Sequence, residues 1–255
     1  MNDVTIRRPL AWNSAGATDV GTVRPLNEDA FLMQPEMGLW TVADGMGGHD
    51  AGSVASQMIV DELKKLTKKK NLDNVITEFE ETLLSVNQQL LDYSKNSLNG
   101  RIVGSTLISL LIKGNIGVAM WAGDSRLYRL RHDKLSPITT DHSHVAELVK
   151  QGLISEEEAK THPESNVITR AVGTSERLDL DIELFDVQVG DQYLLCSDGL
   201  YNAVPHDEIV NAIVGNELQQ SVQNLINNAL ANKASDNVSV ILVKGLHQTE
   251  LSRIK

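Results

Sequence analysis

Cysteine, positive charge and long apolar runs are all scarce in this sequence, and each scarcity excludes something. One cysteine, Cys196, in 255 residues rules out an internal disulfide framework and fits a reducing compartment. The longest unbroken apolar run, residues 118–122, is five residues long, where a helix crossing a bilayer needs ~20. The opening Met1-Asn2-Asp3-Val4-Thr5-Ile6-Arg7-Arg8 has basic residues but no apolar stretch behind them, so it does not read as a signal peptide. A cytoplasmic chain with no membrane partner is the expectation. Bases are in deficit too: 34 acids against 23 leave a net charge of −11, which argues against nucleic acid and suits a chain that gathers carboxylates around cations. No Pro/Gly/Ser-rich linker divides the sequence, so a single domain over residues 1–255 is expected.

What is present is a series of carboxylates at strand ends. The run Gly38-Leu39-Trp40-Thr41-Val42-Ala43 stops at Asp44-Gly45-Met46-Gly47-Gly48-His49, and a helical pattern begins at Ala51. Glycines at such a turn let main-chain groups approach a ligand, and a carboxylate beside a bare carbonyl suits a hard divalent cation. Alone, the stretch is equally an ordinary Asp-Gly turn. The pattern recurs, however, at Tyr193-Leu194-Leu195-Cys196-Ser197-Asp198-Gly199 and, reversed, at Ser235-Asp236-Asn237-Val238. Upstream, Asp19-Val20-Gly21-Thr22-Val23-Arg24-Pro25-Leu26-Asn27-Glu28-Asp29-Ala30 carries further acids. A sheet could gather these ends at one rim.

Apolar residues Val54, Ala55, Met58, Ile59, Leu63 and Leu66 predict one amphipathic helix, closed by Lys64, Lys65 and Lys68 to Lys70; Ile76, Phe79, Leu83, Val86, Leu90 and Tyr93 predict a second, antiparallel to it. Strands follow at 102–112, 115–122 and 126–130, joined by tight turns and hence antiparallel. Residues 141–173 are irregular, with short helices at 145–150 and at Ser155-Glu156-Glu157-Glu158, a capping box. Residues 182–189 and 191–197 read as a strand pair turned at Gly190, followed by two helices and a last strand at 238–243. Helices grouped with helices and strands with strands predict an α+β fold.

These blocks, in this order and over residues 16–243, resemble the PPM family, the metal-dependent Ser/Thr protein phosphatases also called type 2C, in their bacterial form. The resemblance implies a four-layer α-β-β-α sandwich, two antiparallel sheets flanked by helices, with metals at one end and residues 141–173 as a flap beside them. It implies two tightly held Mn²⁺ or Mg²⁺ ions about 3.5–4 Å apart that activate a water for direct attack on phosphoserine or phosphothreonine. Asp44 would bridge the ions and the Gly45 carbonyl would add a ligand. Asp198 and Asp236 would complete one ion, and Glu28 or Asp29 the other. Arg24 would clamp the phosphate, since its planar fork binds a dianion bidentately. Asp124, in Gly123-Asp124-Ser125-Arg126, would hold a third, weaker ion, although an isolated Gly-Asp is otherwise a turn former. Phosphorylated proteins are the implied substrates and a bacterial Ser/Thr kinase the implied counterpart of a monomeric enzyme.

Other phosphate chemistries fail by position. A cysteine phosphatase needs Arg six residues after its nucleophile, and Asn202 stands six after Cys196, which reads instead as a core residue. An aspartyl-phosphate motif is not met by Asp179-Leu180-Asp181-Ile182-Glu183, and Gly47 to Gly52 is followed by Ser53 where a nucleotide-binding loop needs Lys. Asp141-His142-Ser143-His144 reads as a solvated loop rather than a soft-metal site. Many animal members carry His directly after the Asp-Gly pair to protonate the leaving group; here Met46 stands there, which leaves the acid open between His49 and a water. The rival readings are a regulatory pseudophosphatase that only binds phosphoprotein and a hydrolase of small phosphoesters.

Overall fold

In the computed structural model, which describes residues 10–48 and 51–247, the apolar run before Asp44 is a strand buried on both faces. His49 and the opening eight residues, read above for an acid and a signal peptide, lie outside the described residues. The chain order is β1 (Leu10–Asp19), β2 (Asp29–Gln34), β3 (Leu39–Met46), α1 (Ala51–Leu63), α2 (Leu72–Ser97), β4 (Gly104–Ser105), β5 (Leu107–Lys113), β6 (Ile116–Ala122), β7 (Arg126–Arg131) and β8 (Lys134–Pro137). It continues with α3 (His144–Lys150), α4 (Glu156–Lys160), β9 (Asp181–Asp186), β10 (Gln192–Cys196), α5 (Asp198–Ala203), α6 (His206–Ile213), α7 (Leu218–Ala231) and β11 (Val238–His247). One antiparallel sheet has the order β1-β11-β10-β7-β8; the other runs β2-β3-β5-β6-β9, with β4 pairing β3 at its end.

Period-two alternation assigns each side chain to a layer. Along β3, Leu39 and Ala43 pack under α1 and α2, while Trp40 and Val42 point into the space between the sheets. That middle core also holds Ile108, Leu110, Tyr193, Leu195 and Ile241. The far face of the first sheet packs on α6 and α7 through Leu194, Val240, Ile209, Val222 and Leu225. The result is the α-β-β-α stack that the resemblance implies. Asp44 shares the inward parity of Trp40 and Val42, two residues past the last apolar side chain.

Several elements differ from the sequence reading. Residues 182–189 and 191–197 do not pair: β9 joins β6 in one sheet and β10 joins β7 and β11 in the other, so Gly190 carries the chain between layers. Alternation does not say which partner a strand takes. The stretch 102–112 divides at Thr106, and α1 ends at Leu63, which leaves Lys64, Lys65 and Lys68 to Lys70 in the connection rather than in the helix. Strands β1 and β8 and the short α5, which begins at Asp198 itself, had no periodic signal strong enough to announce them. The capping box at Ser155 is present, with Ser155 Oγ accepting from the Glu158 amide and the Glu158 carboxylate from the Ser155 amide.

Candidate active site

Antiparallel pairing explains why acids far apart in sequence meet. Strands β3 and β10 run toward one end of the sandwich and β2 and β11 start from it. Asp44 near the end of β3, Asp198 just past β10, Asp29 at the head of β2 and Asp236 just before β11 therefore share a rim, and Asp29 stands directly across the ladder from Asp44. Asp124, in the turn between β6 and β7, is close enough for its charge to act on Asp44 as well.

Positive charge is short at this rim, and protonation reflects it. Burial first, then the charges of Asp29, Asp198, Asp124 and Asp236, raises Asp44 well above the ordinary carboxylate range. Burial pushes Asp29 up to about 6, against hydrogen bonds from Ser239 and Ser197. It pushes Asp198 up to about 8, with Asp124 and Asp236 adding to the effect, and Asp124 up to about 6, with Asp141 adding. Asp29 Oδ2 accepts from Ser197 Oγ at 2.8 Å and Asp198 Oδ2 from Asn202 Nδ2 at 3.1 Å, yet the Oδ1 atoms of both acids are buried without a partner. Orphaned buried carboxylate oxygens are costly, and a hard cation with oxygen ligands relieves both the desolvation and the repulsion. No three acid, His or Cys side chains among the described residues already form a closed ligand set. The fit to a cation lies in the all-oxygen donors and the two orphaned atoms.

The adjacent acids Glu28 and Asp29 face different ways. Glu28 Oε1 accepts from the Gly52 amide at 3.1 Å, at the N-terminus of α1 where a carboxylate is favoured, and the Glu28 carbonyl accepts from the Gly45 amide at 3.1 Å and Ser56 Oγ at 2.6 Å. Asp29, not Glu28, is the acid opposite Asp44. Gly45 is a strand residue, not a turn, and its lack of a side chain is required: a Cβ there would stand 2.0 Å from the Gly52 carbonyl oxygen. Arg24 is half-exposed and donates through Nη2 to Asp236 Oδ2 at 2.7 Å. Its loop is held by Asn237, whose amide side chain donates to the Val20 and Leu26 carbonyls, both at 2.9 Å, and accepts from the Glu28 amide at 2.7 Å. Sequence reasoning passed over Asn237 and Ser197; their positions beside Asp236 and Asp198 are the signal that marked them.

A sequence model described as protein phosphatase 2C matches residues 23–242. The chain belongs to the protein phosphatase 2C family. The serine/threonine phosphatase stp of Listeria innocua is 35% identical over 235 residues, 89% of this chain and 93% of its own. Among solved structures, PppA, a key regulatory component of T6SS in Pseudomonas aeruginosa, superposes with a TM-score of 0.87 at 39% identity, covering 94% of this chain and 100% of its own. The catalytic domain of the serine/threonine protein phosphatase PstP, in complex with 2 manganese ions, gives 0.84 at 32% identity, covering 93% and 99%.

Within this protein phosphatase, Cys196 is buried in β10 and burial pushes its thiol up to about 12, so it is no nucleophile. The segment Asp141-His142-Ser143-His144 is not the solvated loop expected. His142 is 7% exposed and stacks on Trp121 with centroids 5.8 Å apart. Its Nδ1 accepts from the Gly123 amide at 3.2 Å, and its Nε2 lies 3.2 Å from Asp181 Oδ2. Both ring nitrogens are committed to protein, as a structural histidine's are. Arg126 binds Asp141 through Nε and Nη2 and lies over the Tyr201 ring, 3.5 Å from its centroid, while Tyr201 Oη donates to the Asp124 carbonyl at 3.0 Å. One half-buried guanidinium thus couples the start of the flap to the Asp124 turn.

Proposed function

We propose that this phosphatase hydrolyses phosphoserine and phosphothreonine in proteins by direct attack of a water activated at a binuclear Mn²⁺ or Mg²⁺ centre, opposing a bacterial Ser/Thr kinase. The observation that carries the reading is the rim itself: Asp29, Asp44, Asp124 and Asp198, four carboxylates with raised affinity for protons, two of them with orphaned oxygens, gathered with Asp236 in a chain of this family. Cations held there lower the pKa of water and offset the charge of phosphoryl oxygens.

In this reading Asp44 bridges the two ions, because it is the acid on which the other four charges converge. The Gly45 carbonyl and Asp29 lie on its β2 side, and Asp198 and Asp236 on its other. Glu28 then positions more than it ligates, since one of its oxygens already holds the head of α1. Arg24 uses one nitrogen on Asp236 and keeps the rest of its fork free for a phosphate. Asp124 serves a third, weaker ion, as an isolated carboxylate with retained waters would. The flap of residues 141–173 borders this rim and selects among protein substrates. The protein acts as a cytoplasmic monomer; no helix among the described residues is long and apolar enough to cross a membrane. Phosphate release from a phosphothreonine peptide with Mn²⁺, and its loss in chelator, tests the reading; equal release under both conditions sinks it.

A further inference from the structure

A small concavity of ≈ 130 Å³, with Asp198 and Asp236 in its wall, opens between the flap, α5 and the turn that joins α7 to β11. Asn166 comes from the flap, and Lys233 and Ser235 from the turn. No hydrogen bond or ion pair engages the side chains of these three among the described residues, so three donors border one hollow uncommitted.

Lys233 is the odd residue of the three. Helix α7 ends in a Schellman cap: the Lys233 amide donates to the Leu230 carbonyl at 3.0 Å and the Ala234 amide to the Ala229 carbonyl at 2.9 Å. The residue after the cap in this motif is left-handed, and glycine is its usual occupant. Here it is a lysine at φ 59°. A cation near a helix C-terminus is favourable anywhere in the last turn, so the dipole alone does not call for one at the single position where a side chain is strained. What the position adds is place, since it sets a lysine among the residues that line the hollow. Lys233 is the one cationic residue in the lining of the hollow, and it attracts a negatively charged ligand there against the pull of the chain's −11 and of Asp198 and Asp236 on the same wall.

We propose that this concavity is a subsite for a carboxylate side chain flanking the phosphorylated residue of the substrate, with Lys233 as the residue that sets the preference. The inference rests on the protein-phosphatase reading above. Asn166 and Ser235 supply neutral donors to the same carboxylate. Asn166 makes the flap one jaw of the subsite, which ties flap conformation to substrate choice.

The test compares kcat/KM with Mn²⁺ for phosphothreonine peptides carrying Glu, Ala or Lys at the two positions on either side of the phosphorylated residue. The native enzyme should favour Glu over Lys at one of these positions by about threefold to fivefold, the scale of one partly screened ion pair. Raising the salt should shrink that ratio. Lys233→Gly, which removes the left-handed strain and so keeps the fold, should bring the ratio to about one, and Lys233→Glu should invert it. Thermal midpoints of Lys233→Gly at or above the native value establish that it is folded. A Glu-to-Lys ratio equal in the native enzyme and Lys233→Gly, with both releasing phosphate, overturns the subsite and leaves the phosphatase reading standing. No Mn²⁺-dependent release from any peptide overturns both.

Discussion

Strand β10 has an aspartate at each end, and the two could hardly be more different. Asp191 is 1% exposed and fully served: it accepts from Arg131 Nε and Nη2, both at 2.7 Å, from the Gln188 amide at 2.8 Å and from Tyr193 Oη at 2.9 Å. Burial alone would raise its pKa, but the Arg131 bonds and then those from Gln188 and Tyr193 hold it below the ordinary range. Asp198, at the other end, has one partner, one orphaned oxygen, other acids for neighbours and a pKa near 8. Asp191 is the more shielded from solvent of the two, Asp198 being only partly buried, so exposure to water does not explain why Asp191 is the stronger acid. The supply of donors does, and an acid left short of donors among other acids is one reserved for something brought from outside.

Four experiments would break or sharpen that contrast. Chelation should reduce turnover to background and Mn²⁺ should restore it, whereas alkylating reagents should do nothing to the folded, metal-loaded enzyme because the Cys196 thiol is buried; inactivation by alkylation would defeat the assignment. Asp44→Ala should lower kcat on the order of a thousandfold with the fold retained. Asp191→Ala should do the reverse, losing about 3–5 kcal/mol of stability by stranding Arg131 while the folded fraction keeps its kcat. Near-normal turnover in Asp44→Ala, or a metal-dependent defect in Asp191→Ala, would erase the distinction.

The third experiment is a pH series of thermal midpoints in chelator. Asp29 and Asp124 near 6 and Asp198 near 8 stand above the ordinary 3.8, so the folded chain holds more protons than the unfolded one through this window. Stability should therefore fall as pH rises from about 4 to about 8, and Asp198→Asn should flatten the upper part of the curve. Asp191 has the opposite sign: its contribution is present above the ordinary carboxylate value and is lost as pH falls through its depressed folded value. A midpoint that climbs steadily to pH 8 without metal would contradict the raised values. The smallest effect expected is that of Asp124→Ala, which should slow catalysis about tenfold and remove the benefit of millimolar Mn²⁺ while tight binding persists. Identical metal dependence in parent and variant would return Asp124 to the role of a turn residue.

How much of this was legible in the sequence follows from what pattern can encode. An apolar run that stops at an acid encodes a strand end, and several such ends in an antiparallel fold encode a rim, so Asp44, Asp198 and Asp236 could be read together. The helix pair and the Ser155 cap are local and were equally plain. Partner identity is not local. Nothing near Asp191 separates it from Asp198, because Arg131 arrives from β7, 60 residues away in sequence. Glu28 and Asp29 could not be ranked, because which of two neighbouring residues faces Asp44 depends on the β2–β3 register. His142 looked solvated because its burial is supplied by Trp121, and β9 and β10 looked like a hairpin because both alternate and a glycine lies between them.

The flap is stapled shut at its base. Thr169 donates its amide to the His142 carbonyl at 2.7 Å, His144 donates to Val167 at 2.8 Å, and His142 itself donates to the Gly123 carbonyl at 2.9 Å. Everything between residues 145 and 166 thus enters and leaves through a single doorway fixed to the sandwich. Closing a loop grows more expensive only with the logarithm of its length, about 0.6 kcal/mol for each doubling. An insert at this place can be lengthened, shortened or rewritten with little consequence for the sheets below. The fold in effect separates a rim of acids from an interchangeable cartridge, so that, with the flap selecting substrates as proposed above, a lineage would change which proteins it dephosphorylates by editing about twenty residues and leave every acid of the rim where it stands.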